Sequence, residues 1–442
     1  MRRKSVIAFL LAAVLALASC GSVPQTETDT ETTVPQTQEQ TDIQQAQETG
    51  VQDTEPQQEN IVIASPPTDY VSDEEMQLAD MWQKTDESAI AKVMKKAAEG
   101  EKVTVAVIGG SITQGTISSG SSDSSVNEKR CYADIFFSWW KETFPQTEFE
   151  CINAGIGATD SYIGVHRLQS DVLDYKPDIV LVEFAVNDSN TIFYKKTYDN
   201  LVRMIAKAEN EPAVLLLFMA QTNGATAQEN QAIIGASYGM PMLSYGNVMK
   251  EMINSGKYSD SELSGDVVHP SALGHAIAGE IIWKYLNSIY EHMDEYKEPE
   301  SLETAALTKD CYANARIVDS TQIEPAGSSG FEKKDVFYVF PNNWTCEEGS
   351  GEICFTAEFA NLGVLYYRQV DGNGGQYEVY VDGNMEAVLD ADFKDGWGNC
   401  AEAQSCYSSD EVKEHEIIIR AKEDSTGNAF TILGLMLSDG AE

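Results

Sequence analysis

Val103-Thr104-Val105-Ala106-Val107-Ile108-Gly109-Gly110-Ser111-Ile112-Thr113 decides the fold. It opens with a short apolar, β-branched run that reads as a parallel strand buried on both faces, and two glycines end it. A serine at the carboxyl end of such a strand, on a tight turn, sits where open α/β sheets place their chemistry. A helix following the turn would aim its first N–H groups at an anion there. A phosphate-binding turn or a purely structural one reads the same way, so Ser111 gains meaning only from its partners elsewhere.

Downstream, strand-like and helical runs alternate. The strand at 103–108 precedes a helix at 132–144, 148–152 precedes 161–173, 179–186 precedes 198–208, and 213–219 precedes 227–236. A short strand near Met242-Leu243 and a helix at 272–290 complete the series, and 72–100 reads as helical with a capping-type start at Ser72-Asp73-Glu74-Glu75. This rhythm predicts a parallel sheet with helices on both faces.

A serine hydroxyl is a weak nucleophile at neutral pH and needs a base, which in turn needs an orienting group. Asp266-Val267-Val268-His269-Pro270 supplies both, because Asp and His three apart can share one side of a turn and Pro270 holds His269 extended. Of the five histidines, His275 and His292 fall on or beside the 272–290 helix, His415 lies in a strand-like run, and His166 is a candidate to support the site from behind. Acyl transfer also needs donors for a developing oxyanion. Asn153-Ala154-Gly155-Ile156-Gly157-Ala158-Thr159 can expose the N–H of Gly157 or Ala158 after one strand, and Ala185-Val186-Asn187-Asp188 can project the Asn187 amide after another.

In combination these blocks resemble the SGNH hydrolases, also called the GDSL esterase/lipase family. The resemblance is carried by Gly110-Ser111-Ile112-Thr113, Gly155-Ile156-Gly157-Ala158-Thr159, Val186-Asn187-Asp188 and Asp266-Val267-Val268-His269, and it spans about 103–290. Three positions depart from the family pattern: the first block reads Gly-Gly-Ser-Ile-Thr, the second-block glycine aligns with Ala158, and Ala185 stands before the Asn block. None removes a functional group. The resemblance implies a flavodoxin-like α/β/α sheet of about five strands with its site at the strand carboxyl ends. It also implies a Ser111–His269–Asp266 triad and an oxyanion hole from Ser111, Gly157 or Ala158, and Asn187. No metal or organic cofactor is called for, and no Cys/His cluster has zinc spacing.

The N-terminus reads as a targeting segment. Arg2-Arg3-Lys4 precedes an apolar stretch at 6–17, and Leu17-Ala18-Ser19-Cys20-Gly21 resembles a bacterial lipobox that would lipidate Cys20. Residues 21–60 are rich in Thr, Gln, Glu and Pro and lack Lys and Arg, the composition of a disordered tether. The expected organisation is therefore a leader (1–20), a tether (21–60), a hydrolase domain (61–300) and a C-terminal domain (301–442). The protein is then an exported, surface-anchored lipoprotein that meets the membrane through its lipid alone.

Seventy acidic against 30 basic residues give a net charge of −40, which disfavours nucleic acid, anionic membranes and acidic polymers as partners. Export permits disulfides. Cys346 with Cys354 and Cys400 with Cys406 are close enough in sequence to bridge, while Cys131, Cys151 and Cys311 remain. Beyond Glu300, short alternating segments and turns such as Asp371-Gly372-Asn373-Gly374-Gly375 predict an all-β sandwich of jelly-roll type. Trp344, Tyr366, Tyr367, Tyr377 and Tyr380 read mainly as core or cross-strand residues. Trp397, in Asp395-Gly396-Trp397-Gly398-Asn399, is the aromatic expected to be exposed, either contacting a ligand or overhanging the neighbouring site. Export, the β-domain and the absence of long apolar loops favour an acylated, in particular acetylated, carbohydrate as substrate. A lipase, lysophospholipase or thioesterase of the same family, and a non-catalytic carbohydrate-binding surface protein, are the alternatives.

Overall fold

The computed structural model describes residues 67–81, 85–122, 126, 129–302, 305–425 and 427–441. The chain divides into two units, Met1–Asn60 and Ile61–Glu442. The expected leader, Cys20 and tether lie outside the described residues.

The α/β portion contains helices α1 (Asp73–Ala79) and α2 (Ser88–Ala98), then β1 (Val103–Gly109), α3 (Ser111–Gln114), α4 (Tyr132–Thr143) and β2 (Phe149–Gly155). These are followed by α5 (Ser161–Asp171), β3 (Ile179–Glu183), α6 (Ile192–Ala206), β4 (Ala213–Phe218), α7 (Gln228–Ser237) and β5 (Met242–Ser244). Helices α8 (Tyr245–Asn254), α9 (Asp260–Leu263) and α10 (Ala272–Tyr290) complete it. The five strands are parallel in the order β2-β1-β3-β4-β5. The chain winds outward from β1 in both directions, so the crevice between the carboxyl ends of β1 and β3 is the switch point where such sheets bind ligands.

Side-chain alternation explains why these runs are apolar throughout. Val103, Val105 and Val107 enter the core formed with α2, α4, α8 and α10, whereas Ala106 and Ile108 enter the one formed with α5, α6 and α7. The 72–100 segment, expected to be one helix, is two: α1 has the Ser72–Glu75 capping box and ends before Asp80, which bridges to Leu243. The buried carboxylate of Glu280 on α10 fastens the start of this segment, accepting from Thr68 Oγ1 and the N–H groups of Tyr70 and Val71. Helix α8 was not foreseen; half of residues 245–254 are polar or glycine, and its buried residues are confined to Tyr245, Val248, Met249 and Met252.

The C-terminal portion is antiparallel: β6 (Arg316–Val318), β7 (Gly327–Ser329), β8 (Phe331–Lys334), β9 (Asn343–Cys346), β10 (Glu352–Arg368), β11 (Gln376–Val381), β12 (Asn384–Asp390), β13 (Cys400–Ala421) and β14 (Phe430–Ser438). Its main path runs β12-β11-β13-β10-β14-β9-β8, with β6 on β14 and β7 on β10. One face holds its own core of Trp344, Phe355, Val364, Tyr366, Tyr377, Ile432 and Leu435. The other face sends Leu365, Ala401, Leu433 and Met436 into the cluster that contains Tyr162, Val165 and Leu168 of α5. Strand β14 is buried at all nine positions for this reason. The β-sheet is thus packed into the α/β portion through a shared apolar layer.

No disulfide joins any of the seven cysteines among the described residues. Cys400 and Cys406 stand on one strand, separated by roughly 20 Å at the rise of an extended chain. Cys354 on β10 is registered with Gly327 of β7 and Ile418 of β13, and Cys346 on β9 with Phe331 of β8 and Phe430 of β14, so the two are not cross-strand partners. Neither bridge suggested by sequence spacing forms.

Candidate active site

Ser111 is the first residue of α3, directly after β1. Its N–H therefore has no acceptor within the helix. The Ser111 Oγ lies 2.9 Å from His269 Nε2. His269 Nδ1 lies 2.7 Å from Asp266 Oδ2, and Asp266 Oδ1 accepts the main-chain N–H of both Val268 (3.0 Å) and His269 (2.7 Å). Partial burial pulls the Asp266 pKa upward, but the hydrogen bonds from His269 and Val268 outweigh it and leave the carboxyl below its ordinary value. An ionised Asp266 fixes the tautomer with Nδ1 protonated, so Nε2 is free to accept the serine proton.

The turn that achieves this is strained: Val267, a β-branched residue, has φ +75°. Its carbonyl is held by the N–H of Thr222 from the loop after β4, at 3.0 Å.

The two donor stretches reach the same serine. A Cβ on Gly110 would stand 2.3 Å from Asn187 Oδ1, so the Asn187 side chain lies flat against the residue before the nucleophile. A Cβ on Gly157 would stand 3.8 Å from Ser111 Cβ. Ala158 occupies the left-handed turn beside it, with φ +61°. Gly157 thus stands against Ser111, with Ala158 next to it in the left-handed turn. The stretch is fixed from below by Arg167, whose Nη1 donates to Ala154 O (2.7 Å) and Nη2 to Gly109 O (2.9 Å), joining the ends of β1 and β2. Asp188, next to Asn187, accepts from Ser161 N–H (2.9 Å) and Gln231 Nε2 (3.0 Å); burial, with the Asp160 charge adding to it, pushes its pKa well above the carboxylate range.

Beneath Ser111 is a buried polar chain that the sequence did not disclose. Tyr132 OH and Thr113 Oγ1 are 2.6 Å apart, Thr113 Oγ1 donates toward Glu183 Oε2 at 3.4 Å, and Glu183 Oε1 accepts Ala185 N–H at 3.1 Å. Burial raises the Glu183 pKa to about 7.

His166 does not join the site. It is buried, its Nδ1 hydrogen-bonds Tyr162 O, and its ring packs edge-on against Tyr162 and Tyr312 toward the β-sheet; burial lowers its pKa to about 4, which keeps it neutral. A helix-face position was legible in the sequence, but not which face looked toward the serine. His275 is also structural, accepting from Tyr132 N–H through Nδ1 and reaching Thr116 O through Nε2.

Trp397 is 72% exposed, whereas Trp344, Tyr366 and Tyr377 are core residues. The indole meets Phe393 edge-on at 5.8 Å, and the Arg368 guanidinium covers the Phe393 ring at 4.3 Å. Arg368 also pairs with Glu402, whose pKa is raised by burial, partly offset by Arg368, with a smaller upward push from Asp160, the cap of α5 just after the Gly157 stretch.

A model of the GDSL-like lipase/acylhydrolase family matches residues 107–277, a span that contains every residue of the Ser–His–Asp line. Among solved structures, a two-domain esterase (CEX) active on acetylated mannans, co-crystallised with mannopentaose, is 30% identical with a TM-score of 0.73, over 83% of this chain and 98% of that one. A further structure of a two-domain esterase (CEX) active on acetylated mannans gives 31% identity and a TM-score of 0.74, over 82% of this chain and 98% of that one. No curated protein matches. The similarity thus extends through both the parallel sheet and the antiparallel one. The chain belongs to the GDSL-like lipase/acylhydrolase family and is a carboxylic ester hydrolase.

Proposed function

We propose that the protein is a serine esterase that removes acetyl groups from a mannan-type polysaccharide. The observation that carries the serine reading is the hydrogen-bonded line Asp266–His269–Ser111, with separations of 2.7 and 2.9 Å. Ser111 Oγ attacks the ester carbonyl carbon while His269 Nε2 takes its proton. The resulting oxyanion is held by the N–H of Ser111, the N–H of Gly157 and the side-chain amide of Asn187. The tetrahedral species collapses, the C–O bond to the sugar breaks, and His269 returns the proton to the leaving hydroxyl. Water, deprotonated by His269, then attacks the acyl-serine and releases acetate.

The substrate class is supported by the likeness to the mannan-active esterase over nearly all of that protein's length. It is also supported by the exposed Trp397 beside Phe393, an arrangement suited to stacking on a sugar ring. The same proposal keeps the protein at the cell surface, tethered through a lipidated Cys20.

Acetate release from acetylated mannan, with acetylated xylan and a medium-chain aryl ester beside it, tests the reading. Serine-dependent release from mannan is expected, with Ser111→Ala inactive. Cleavage of the aryl ester alone points instead to a lipase or thioesterase, and undiminished activity of Ser111→Ala removes the serine mechanism.

A further inference from the structure

His269 is held at every main-chain hydrogen-bonding group. Its N–H goes to Asp266 Oδ1, and its carbonyl accepts two hydroxyls, Ser118 Oγ at 2.5 Å and Ser264 Oγ at 2.6 Å. Ser264 belongs to the same loop as His269. Ser118 does not: it lies seven residues after Ser111, on the segment that leaves the nucleophile's own helix. Its hydroxyl also accepts the Gly265 N–H at 2.7 Å, and its own N–H donates to Pro270 O at 3.0 Å. One residue from the Ser111 segment therefore bonds to the base loop before His269, at His269 and after it.

We propose that Ser118 is a positioning residue for His269, setting the Ser111–His269 separation by locking the two loops together. The inference rests on the serine-esterase reading. The physical argument is one of tolerance. Proton transfer needs the heavy atoms within hydrogen-bond reach, and a misplacement of about 1 Å costs on the order of 100-fold in rate. Asp266 orients the imidazole within its own loop, yet nothing in that local contact fixes where the loop stands relative to Ser111. Ser118 supplies this relation directly. Ser118→Ala removes the donor to His269 O and the acceptor of Gly265 N–H together, while Ser264 Oγ keeps the carbonyl from being left without a partner. The fold survives on this account, and the loss falls on the chemical step.

The test is steady-state hydrolysis of 4-nitrophenyl acetate by the full chain carrying Ser118→Ala, Ser118→Thr, Ser264→Ala or Ser111→Ala, with a thermal melt of each. Ser118→Ala is expected to lower kcat about 10- to 100-fold with KM within about 2-fold of the parent and its melting temperature within a few degrees. Ser118→Thr, which keeps the hydroxyl, is expected to recover most of kcat, and Ser264→Ala to lose less than Ser118→Ala. A Ser118→Ala protein with kcat intact overturns the proposal. So does a loss that tracks melting temperature across the serine variants with no recovery in Ser118→Thr, because that is the behaviour of a residue serving only stability. Equal hydrolysis by the parent and Ser111→Ala overturns the esterase reading and this one with it, which separates the two failures.

Discussion

The hydroxyl of Tyr162 stands 2.1 Å from the place a Cβ would take on Gly363. Helix α5 thus plugs a gap in β10 where a side chain is missing, at the register shift between Leu362 and Gly363 in the β10–β13 ladder. Tyr162 is the second residue of α5, and that helix begins immediately after the stretch that brings Gly157 to Ser111. The antiparallel sheet and the proposed oxyanion hole therefore share a helix end.

Gly363→Val forces the Tyr162 ring to move and is expected to cost about 1–3 kcal/mol, as overpacking of a well-filled site does. Thermal melts should fall by several degrees, and kcat on an aryl acetate should drop with them because the displaced helix carries the Gly157 stretch. A variant with parental melting and activity would show that the contact is slack.

Removing the β-sheet is expected to disable the hydrolase portion rather than free it. Tyr162, Val165 and Leu168 share a buried cluster with Leu365, Leu433 and Met436, so a fragment ending near residue 300 exposes that apolar layer. It should be recovered as aggregate or as a species that binds a hydrophobic dye. A soluble fragment with a cooperative melt would contradict the shared core.

Asn187→Ala removes one donor of the proposed oxyanion hole. A fall in kcat of about 100- to 1,000-fold with little change in KM is expected. A change confined to KM would place Asn187 in ground-state binding instead.

Glu183 makes a signed prediction with pH. Its folded pKa is raised from 4.5 to about 7 by burial, only partly offset by hydrogen bonds from Ala185, Thr113 and Val186. The folded state therefore holds a proton that the unfolded chain releases between those values. Stability is full below about 4.5 and falls as pH rises through about 7, after which it levels. Glu183→Gln keeps an acceptor for Ala185 and gains a donor toward Thr113 but cannot ionise. Its stability relative to the parent should rise between pH 4.5 and pH 8 by up to on the order of 3 kcal/mol. Chemical denaturation of both proteins at the two pH values checks the difference, and a constant gap would show that Glu183 is not the titrating group.

The parallel sheet was legible because a strand buried on both faces must be apolar at every position, and 103–108 is nearly so. Helix α10 was legible to the residue, Ala272–Tyr290, since its apolar pattern is long and Ser271 caps it. Ser111, Asn187, Asp266 and His269 announced themselves by chemistry at the ends of strands or on one turn. Ser118 and Ser264 did not, because a hydroxyl that donates to a main-chain carbonyl leaves no pattern, and 118–122 offers four serines of equal appearance. The shared apolar layer was hidden for a related reason. Alternation along β10 shows two faces, but not that the second one is closed by a helix far earlier in the chain. Cys400 and Cys406 misled through short sequence spacing, which along an extended strand is a long distance in space.

Ser111 and His269 meet across a sequence separation of 158 residues. Every strand of the parallel sheet after β1 is laid down within that interval. Contacts between such distant segments form late, after loop-closure entropy has been overcome. Ester cleavage is therefore a built-in clock for maturation: during refolding it should appear after the far-ultraviolet helix signal has recovered. A nascent chain is chemically silent until the loop that carries His269 reaches Ser111.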